Sequence, residues 1–413
     1  MNRSLKTHRL VYWLLLLVFT VPWENIIQFG GIGRISRAAG LLVALVWTLS
    51  VIRSGRIRLP SAVHVALLAF VLWNGLSVFW TVDLVATTER FFTYVQIFVF
   101  VYIMWDVLDT PKEAALSVPQ AYVLGAWVTA ASVIITYASN GLSGYEDRVA
   151  TGTFQFTDMG LILVFGIPFA WYLASTAGRT SRVMRLVNMA YIPVGAFAVM
   201  LTGSRAAIVS MAAAVVYILV TLLRGGRAFK VLGLVVIGGL VYTTTLLPQA
   251  TVDRLSTTSG GSATGLDGRT EIWHQALEEF AARPLTGMGA AAFRTSDSQK
   301  VAHNFAFGFL AEIGLIGFVL FMIILVKSFR TALRLPKGLR ALWITMLMTW
   351  LIGASLYNFE EKKQTWLIFG LIAVCGRVFA PEKDTRRPSV SPSASPPTGE
   401  ARRPIAAVVS EPS

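Results

Sequence analysis

The chain is poor in charge and in the residues that hold metals. Its single cysteine, Cys375, rules out a disulfide within the chain. It has only four histidines: His8, His64, His274 and His303. The polar linkers assigned below to the outer face carry no D-x-D, H-x-x-H or Cys pair, so no metal site and no cofactor are expected. Charged residues make up 14% of the 413 positions, where a soluble domain carries about 25%. That deficit argues against a water-soluble fold. The segments are continuously apolar rather than alternating, which argues against a β-barrel.

What is there is hydrophobic: 55% of residues, with a mean hydropathy of +0.62. Apolar runs near the ~20 residues needed to cross a bilayer recur along the chain. The fold expected is an all-α polytopic membrane protein of about twelve transmembrane helices. The spans are read at 10–28, 35–52, 62–80, 90–108, 117–138, 155–175, 186–202, 206–223, 229–247, 304–326, 340–357 and 364–380. The run from Leu10 to Val21 is not followed by a small-residue cleavage site and is read as the first span. Residues 1–380 form the membrane domain. Residues 381–413, rich in Pro, Ser and Arg, are expected to be a disordered cytoplasmic tail.

Lys and Arg placement sets the orientation. With a cytoplasmic N-terminus, the inner segments hold 24 of the 36 Lys and Arg. Both termini then face the cytoplasm, and the long polar loop at about 248–303 faces the outside. The basic balance reflects inner linkers meeting anionic lipid, and no nucleic-acid partner is implied.

That loop holds most of the candidate chemistry. Ile272, Trp273, Ala276, Leu277 and Phe280 fall on one face of a helix expected over 271–283. Thr270 is its expected N-cap, and Pro284 ends it. Residues 256–268, rich in Ser, Thr and Gly, are expected to be a mobile lid. Arg205, in the tight turn Thr202-Gly203-Ser204-Arg205, stands at a helix start, where backbone N–H groups and a guanidinium suit an anion. Arg269 sits just before the loop helix, and Arg148 lies on another outer linker. Each is individually compatible with a solvated loop charge, but together they suit a diphosphate. His303 stands where the loop enters the membrane and is the candidate base, although a structural histidine fits that position equally. Asn304 and Glu312 are read as supporting residues. Nine residues along a helix place Glu312 about 13 Å deeper than His303 and on the opposite face. Asp158 is read as a polar contact within the bundle.

The ordered set Thr202-Gly203-Ser204-Arg205, Gly268-Arg269-Thr270 with Ile272-Trp273, Pro284 to Gly289, His303-Asn304 and Glu312 to Gly317 resembles the O-antigen ligase and polymerase superfamily. The resemblance implies a GT-C-like, metal-independent, inverting glycosyltransferase. Its donor would be a glycan on undecaprenyl diphosphate, and its acceptor the lipid A–core. It implies that Arg205 and Arg269, with Arg148 more loosely, hold the diphosphate, and that His303 activates the acceptor hydroxyl. Only one outer loop is large, and neither Arg269 nor Arg283 has Gly eleven positions on. The reading is therefore ligase, with polymerase or protein oligosaccharyltransferase as alternatives. A lipid-linked glycan flippase is the alternative of another class.

Overall fold

A computed structural model describes residues 3–29, 33–108, 112–141, 149, 152, 155–176, 181–224, 226–256, 264–295 and 301–379. One compact unit covers Met1–Ala380. Pro381–Ser413, and with it the expected tail, lies outside the described residues.

Among the described residues, fourteen α-helices build the unit: α1 Arg3–Thr20, α2 Ile35–Ser54, α3 Ala62–Leu76, α4 Leu84–Val107, α5 Lys112–Asn140, α6 Phe156–Ser175, α7 Arg182–Leu201, α8 Arg205–Arg224, α9 Arg227–Thr245, α10 Gln249–Ser256, α11 Thr264–Ala282, α12 Phe305–Leu333, α13 Lys337–Leu356 and α14 Lys363–Val378. Among the described residues, nine helices (α2 to α8, α12 and α13) are long and apolar enough to cross a membrane. The all-α polytopic expectation holds. Helices also occupy the other three predicted spans, as α1, α9 and α14, but α1 and α9 hold shorter apolar runs and α14 has only 16 residues. A two-residue antiparallel pairing of Gln28–Phe29 with Gly33–Arg34, unforeseen in the sequence, links α1 to α2.

The core centres on α6, which packs on α5, α7, α8 and α13. Nearly all of its residues are buried, so nearly every face meets protein rather than lipid. Trp171, Trp343, Trp350 and Trp366 are fully enclosed there and in α13 and α14. In contrast, only 11% of α2 is buried.

The linkers predicted to be outer gather at one end of the bundle. Lys363 reaches Glu24, Lys362 reaches Asp158, and Arg90 pairs with Glu361. The Val149 N–H donates to Leu201 O, and Thr87 Oγ1 donates to Ala290 O. The alternation of spans read from the sequence is therefore consistent with which linkers touch.

Helix α12 is broken where one continuous span was expected. Gly314 adopts φ 64° and ψ −170°, which interrupts the hydrogen-bond ladder. The turn from Pro284 to Gly289 mends the break. Met288 N donates to Ala311 O at 2.9 Å, and Gly289 N donates to Glu312 O at 2.8 Å. Trp73 Nε1 donates to Ile313 O at 2.9 Å. On the other side, Leu315 N donates to Pro284 O and Ile316 N to Leu285 O. Backbone groups unpaired at membrane depth cost several kcal/mol each, so an irregular stretch persists only where protein satisfies it. A Cβ on Gly314 would lie 2.4 Å from Leu285 O, and one on Gly287 would lie 2.5 Å from the Glu312 backbone. Both positions also have positive φ, so the motif requires glycine there.

Candidate active site

Arg205 is the first residue of α8. The preceding turn is set by Gly203, with φ 60°, and by two hydroxyls. Thr202 Oγ1 accepts from Ser204 N, and Ser204 Oγ accepts from Ala207 N, both at 3.3 Å. Ser204 thus caps the helix, while Arg205 stays exposed on its first turn. The position expected for Arg205 is the one observed.

Arg269 requires a correction. Helix α11 begins at Thr264 rather than after Thr270, so Arg269 lies inside the helix and Thr270 is not its cap. Residues 264–268, expected in the mobile lid, are helical, and 249–256 form α10. The poor propensity of the Gly265 and Gly268 region is overridden in the longer helix. The apolar face is otherwise close to expectation. Ile272 and Ala276 are buried with Met288, Phe293, Ala302 and Ala311, whereas Leu277 is exposed. Trp273 stacks on Phe307 with ring centroids 5.2 Å apart, and its Nε1 donates to Ala302 O at 2.8 Å. Arg269 lies one turn before Trp273 on the same helical face. One indole therefore ties the helix that carries Arg269 to the residue preceding His303.

His303 itself has φ 50°, a left-handed conformation uncommon for a residue with a side chain. It is held on both sides. Ala302 is buried and receives the Trp273 bond. Asn304 caps α12, its Oδ1 accepting from Ala306 N at 2.9 Å and Phe307 N at 3.3 Å. Asn304 Nδ2 donates to Ser355 O at the end of α13. The imidazole lies 5.9 Å from the Tyr357 ring, and its Nδ1 is buried with no hydrogen-bond partner among the described residues.

The electrostatics join these residues. Burial, and then the Arg269 charge, hold the His303 imidazole below its usual pKa. Burial, and then Arg205, likewise lower the Arg269 guanidinium. Arg269 is thus within electrostatic reach of both Arg205 and His303. Like charges brought together in a half-buried setting are unfavourable unless an anion joins them. The same forces keep His303 neutral near pH 7, the form that accepts a proton.

Glu312 is buried, and its Oε2 accepts from Ala291 N at 3.0 Å. Arg148 lies outside the described residues. A second charged cluster was missed in the sequence reading except for Asp158. Arg90 pairs with Glu361, and Lys362 with Asp158 at 2.9 Å. Lys363 contacts Glu24 at 2.5 Å and Ser36 at 2.6 Å. Buried Glu360 is pushed up to about 7 by burial and by Glu361. The run Glu360-Glu361-Lys362-Lys363 on a short outer linker was the signal available.

Residues 190–322 match the family model described as O-antigen ligase. Over that segment the chain is similar to the O-antigen ligase family. The segment runs from α7 through Arg205, Arg269 and His303 into the second half of α12. The O-antigen ligase match supports the ligase and polymerase superfamily, and with it glycosyl transfer from a lipid-linked donor in a membrane. Arg148 and the Arg90 cluster fall outside the matched segment. No curated protein matches the chain.

Proposed function

We propose that the chain transfers O-antigen glycan from undecaprenyl diphosphate to a sugar hydroxyl of lipid A–core, at the periplasmic face of the inner membrane. The observation that carries this reading is the Trp273 indole, which ties the helix bearing Arg269 to the residue before His303, with the charges of Arg205 and Arg269 acting in turn on Arg269 and His303. A diphosphate would relieve the repulsion between the guanidinium groups, which would grip its oxygens. The acceptor hydroxyl oxygen attacks the anomeric carbon, and its proton passes to His303. The bond from that carbon to the phosphate oxygen breaks on the opposite face, and the diphosphate leaves with the electron pair. The anomeric configuration inverts. Arg205 and Arg269 stabilise the departing charge.

The family match and the Lys and Arg asymmetry of the sequence support this reading, including cytoplasmic termini. The test is purified chain with lipid-linked glycan and core lipid. His303→Ala is expected to fold and insert but to lose about 10²- to 10⁴-fold in transfer, the usual contribution of a positioned base. Near-normal turnover would remove His303 from the role. A lipopolysaccharide gel of a deletion strain distinguishes the related reactions. Loss of the whole ladder on the core means ligase, and a single-repeat band means polymerase. An intact ladder alongside unglycosylated protein means oligosaccharyltransferase. Redistribution of the donor between leaflets without covalent product means flippase.

A further inference from the structure

A cavity of about 730 Å³ opens between α1, α2 and α4, and none of its lining residues comes from α8, α11 or α12. Its depth is apolar, walled by Leu17, Gly40, Leu41, Ala44, Ile97 and Phe100. Its mouth is charged, with five cationic and three anionic side chains lining the whole. The two helices that frame it are tied at their far end, where Trp47 Nε1 donates to Asp106 Oδ2 at 2.8 Å. At the mouth, α2 is tied instead to the segment after α1 and to α14, through Ser36, Glu24 and Lys363. Helix α2 packs mainly on α1 and more sparsely on α4.

The carboxylates of the mouth are largely engaged. Glu24 accepts from Lys363 and Ser36, and Glu361 is held by Arg90 and Lys362. Arg34 lies 3.9 Å from Glu24 with its side chain half exposed, and Arg37, three residues on, is also exposed. The cavity thus joins an apolar slot to a cationic rim, which is complementary to a lipid with a phosphorylated head. Arg205, Arg269 and His303 are not among the residues that line the cavity. Yet the turn between α13 and α14 serves both places. Tyr357 packs on His303, and Glu361 to Lys363 line the cavity.

We propose that this cavity seats the acceptor, a phosphorylated glycolipid whose chains enter between α2 and α4 and whose phosphate is held by Arg34 and Arg37. The acceptor role rests on the transfer reaction proposed above; the site itself rests on the cavity and its rim.

The experiment titrates the full chain, in phosphatidylcholine nanodiscs, with fluorescent lipid A, and separately with undecaprenyl diphosphate and phosphatidylglycerol. Two variants probe the cavity. Gly40→Trp fills it, and the added Cβ would meet only Leu17 Cδ1, at 3.9 Å. The pair Arg34→Ala and Arg37→Ala strips the rim and carries the test if Gly40→Trp does not fold. Each is expected to weaken lipid A binding at least tenfold and to leave undecaprenyl diphosphate within twofold of wild type. Unchanged lipid A binding in the folded variants would overturn the site. Loss of undecaprenyl diphosphate instead would make the cavity the donor's, and equal binding of phosphatidylglycerol would make it a general lipid crevice; either overturns the assignment. Failure of the donor reading would appear elsewhere, as undecaprenyl diphosphate binding insensitive to Arg205→Ala and Arg269→Ala.

Discussion

Two charged clusters share one end of this bundle, and they are built on opposite plans. Around Glu24, Arg90, Asp158 and Glu361 to Lys363, each cation meets a carboxylate. Around Arg205, Arg269 and His303, the interaction that reaches each of the last two is repulsive. The first cluster binds the segment after α1 to α4, α6 and α14, and leaves Arg34 and Arg37 exposed at its edge. On the function proposed above, an added anion would improve the second. On that reading the paired groups of the first serve cohesion and the second serves recognition, although the residue types are the same.

Three measurements would break or sharpen that contrast. Arg90→Ala leaves Glu361 without its main partner in a buried setting. It should lower stability by about 3–5 kcal/mol, as loss of one member of a buried pair does, read as a lower unfolding midpoint in detergent. If Arg90→Ala unfolded like wild type, the cohesive role would fail. Arg269→Ala should do the reverse. It should leave the unfolding midpoint unchanged or raised, because a repulsion is removed, and reduce transfer about 10²- to 10³-fold, the range seen when one donor to a developing anion is lost. A large fall in stability with proportionate activity would place Arg269 in the first class instead.

The smallest effect concerns pH. The folded-state pKa of His303 lies below its usual 6.5, so its neutral form persists into mild acid. The acid limb of kcat/KM, which reports the free enzyme, should fall below pH 6.5. Stability linked to the same group is present above the unfolded pKa and declines as pH drops below it, since the unfolded chain takes up the proton more readily there. Arg269→Ala removes one of the two forces that depress the imidazole. The acid limb of its residual activity should move up toward 6.5 and no further. A limb that stayed in place would mean that burial alone sets the imidazole.

Much of the plan is legible without coordinates because hydropathy responds to a constraint the bilayer imposes on every span. The helical positions, the grouping of linkers and the amphipathic face around Trp273 all follow from periodicity and composition. His303-Asn304 was placed at a boundary by the return of apolar residues, and the boundary is where Asn304 caps α12. The departures have a common cause. The start of α11, the break at Gly314 and the ion pairs at Glu361 to Lys363 depend on partners distant in the chain. Gly314 in an apolar run reads as an ordinary membrane-helix glycine; only the arrival of Pro284 to Gly289 against it makes a break tolerable. Likewise, Lys362 and Lys363 read as a basic pair until Asp158 and Glu24 are brought beside them.

The interruption at Gly314 also bears on how the protein is made. The segment that completes α12 precedes it in the chain, so it emerges from the ribosome before the helix whose carbonyls and amides it pairs. The two halves of Phe305–Leu333 gain their full set of bonds only when the turn docks between them. Completing α12 thus takes a docking contact as well as insertion of the span. The same contact anchors the end of the extramembrane arm that carries Arg269.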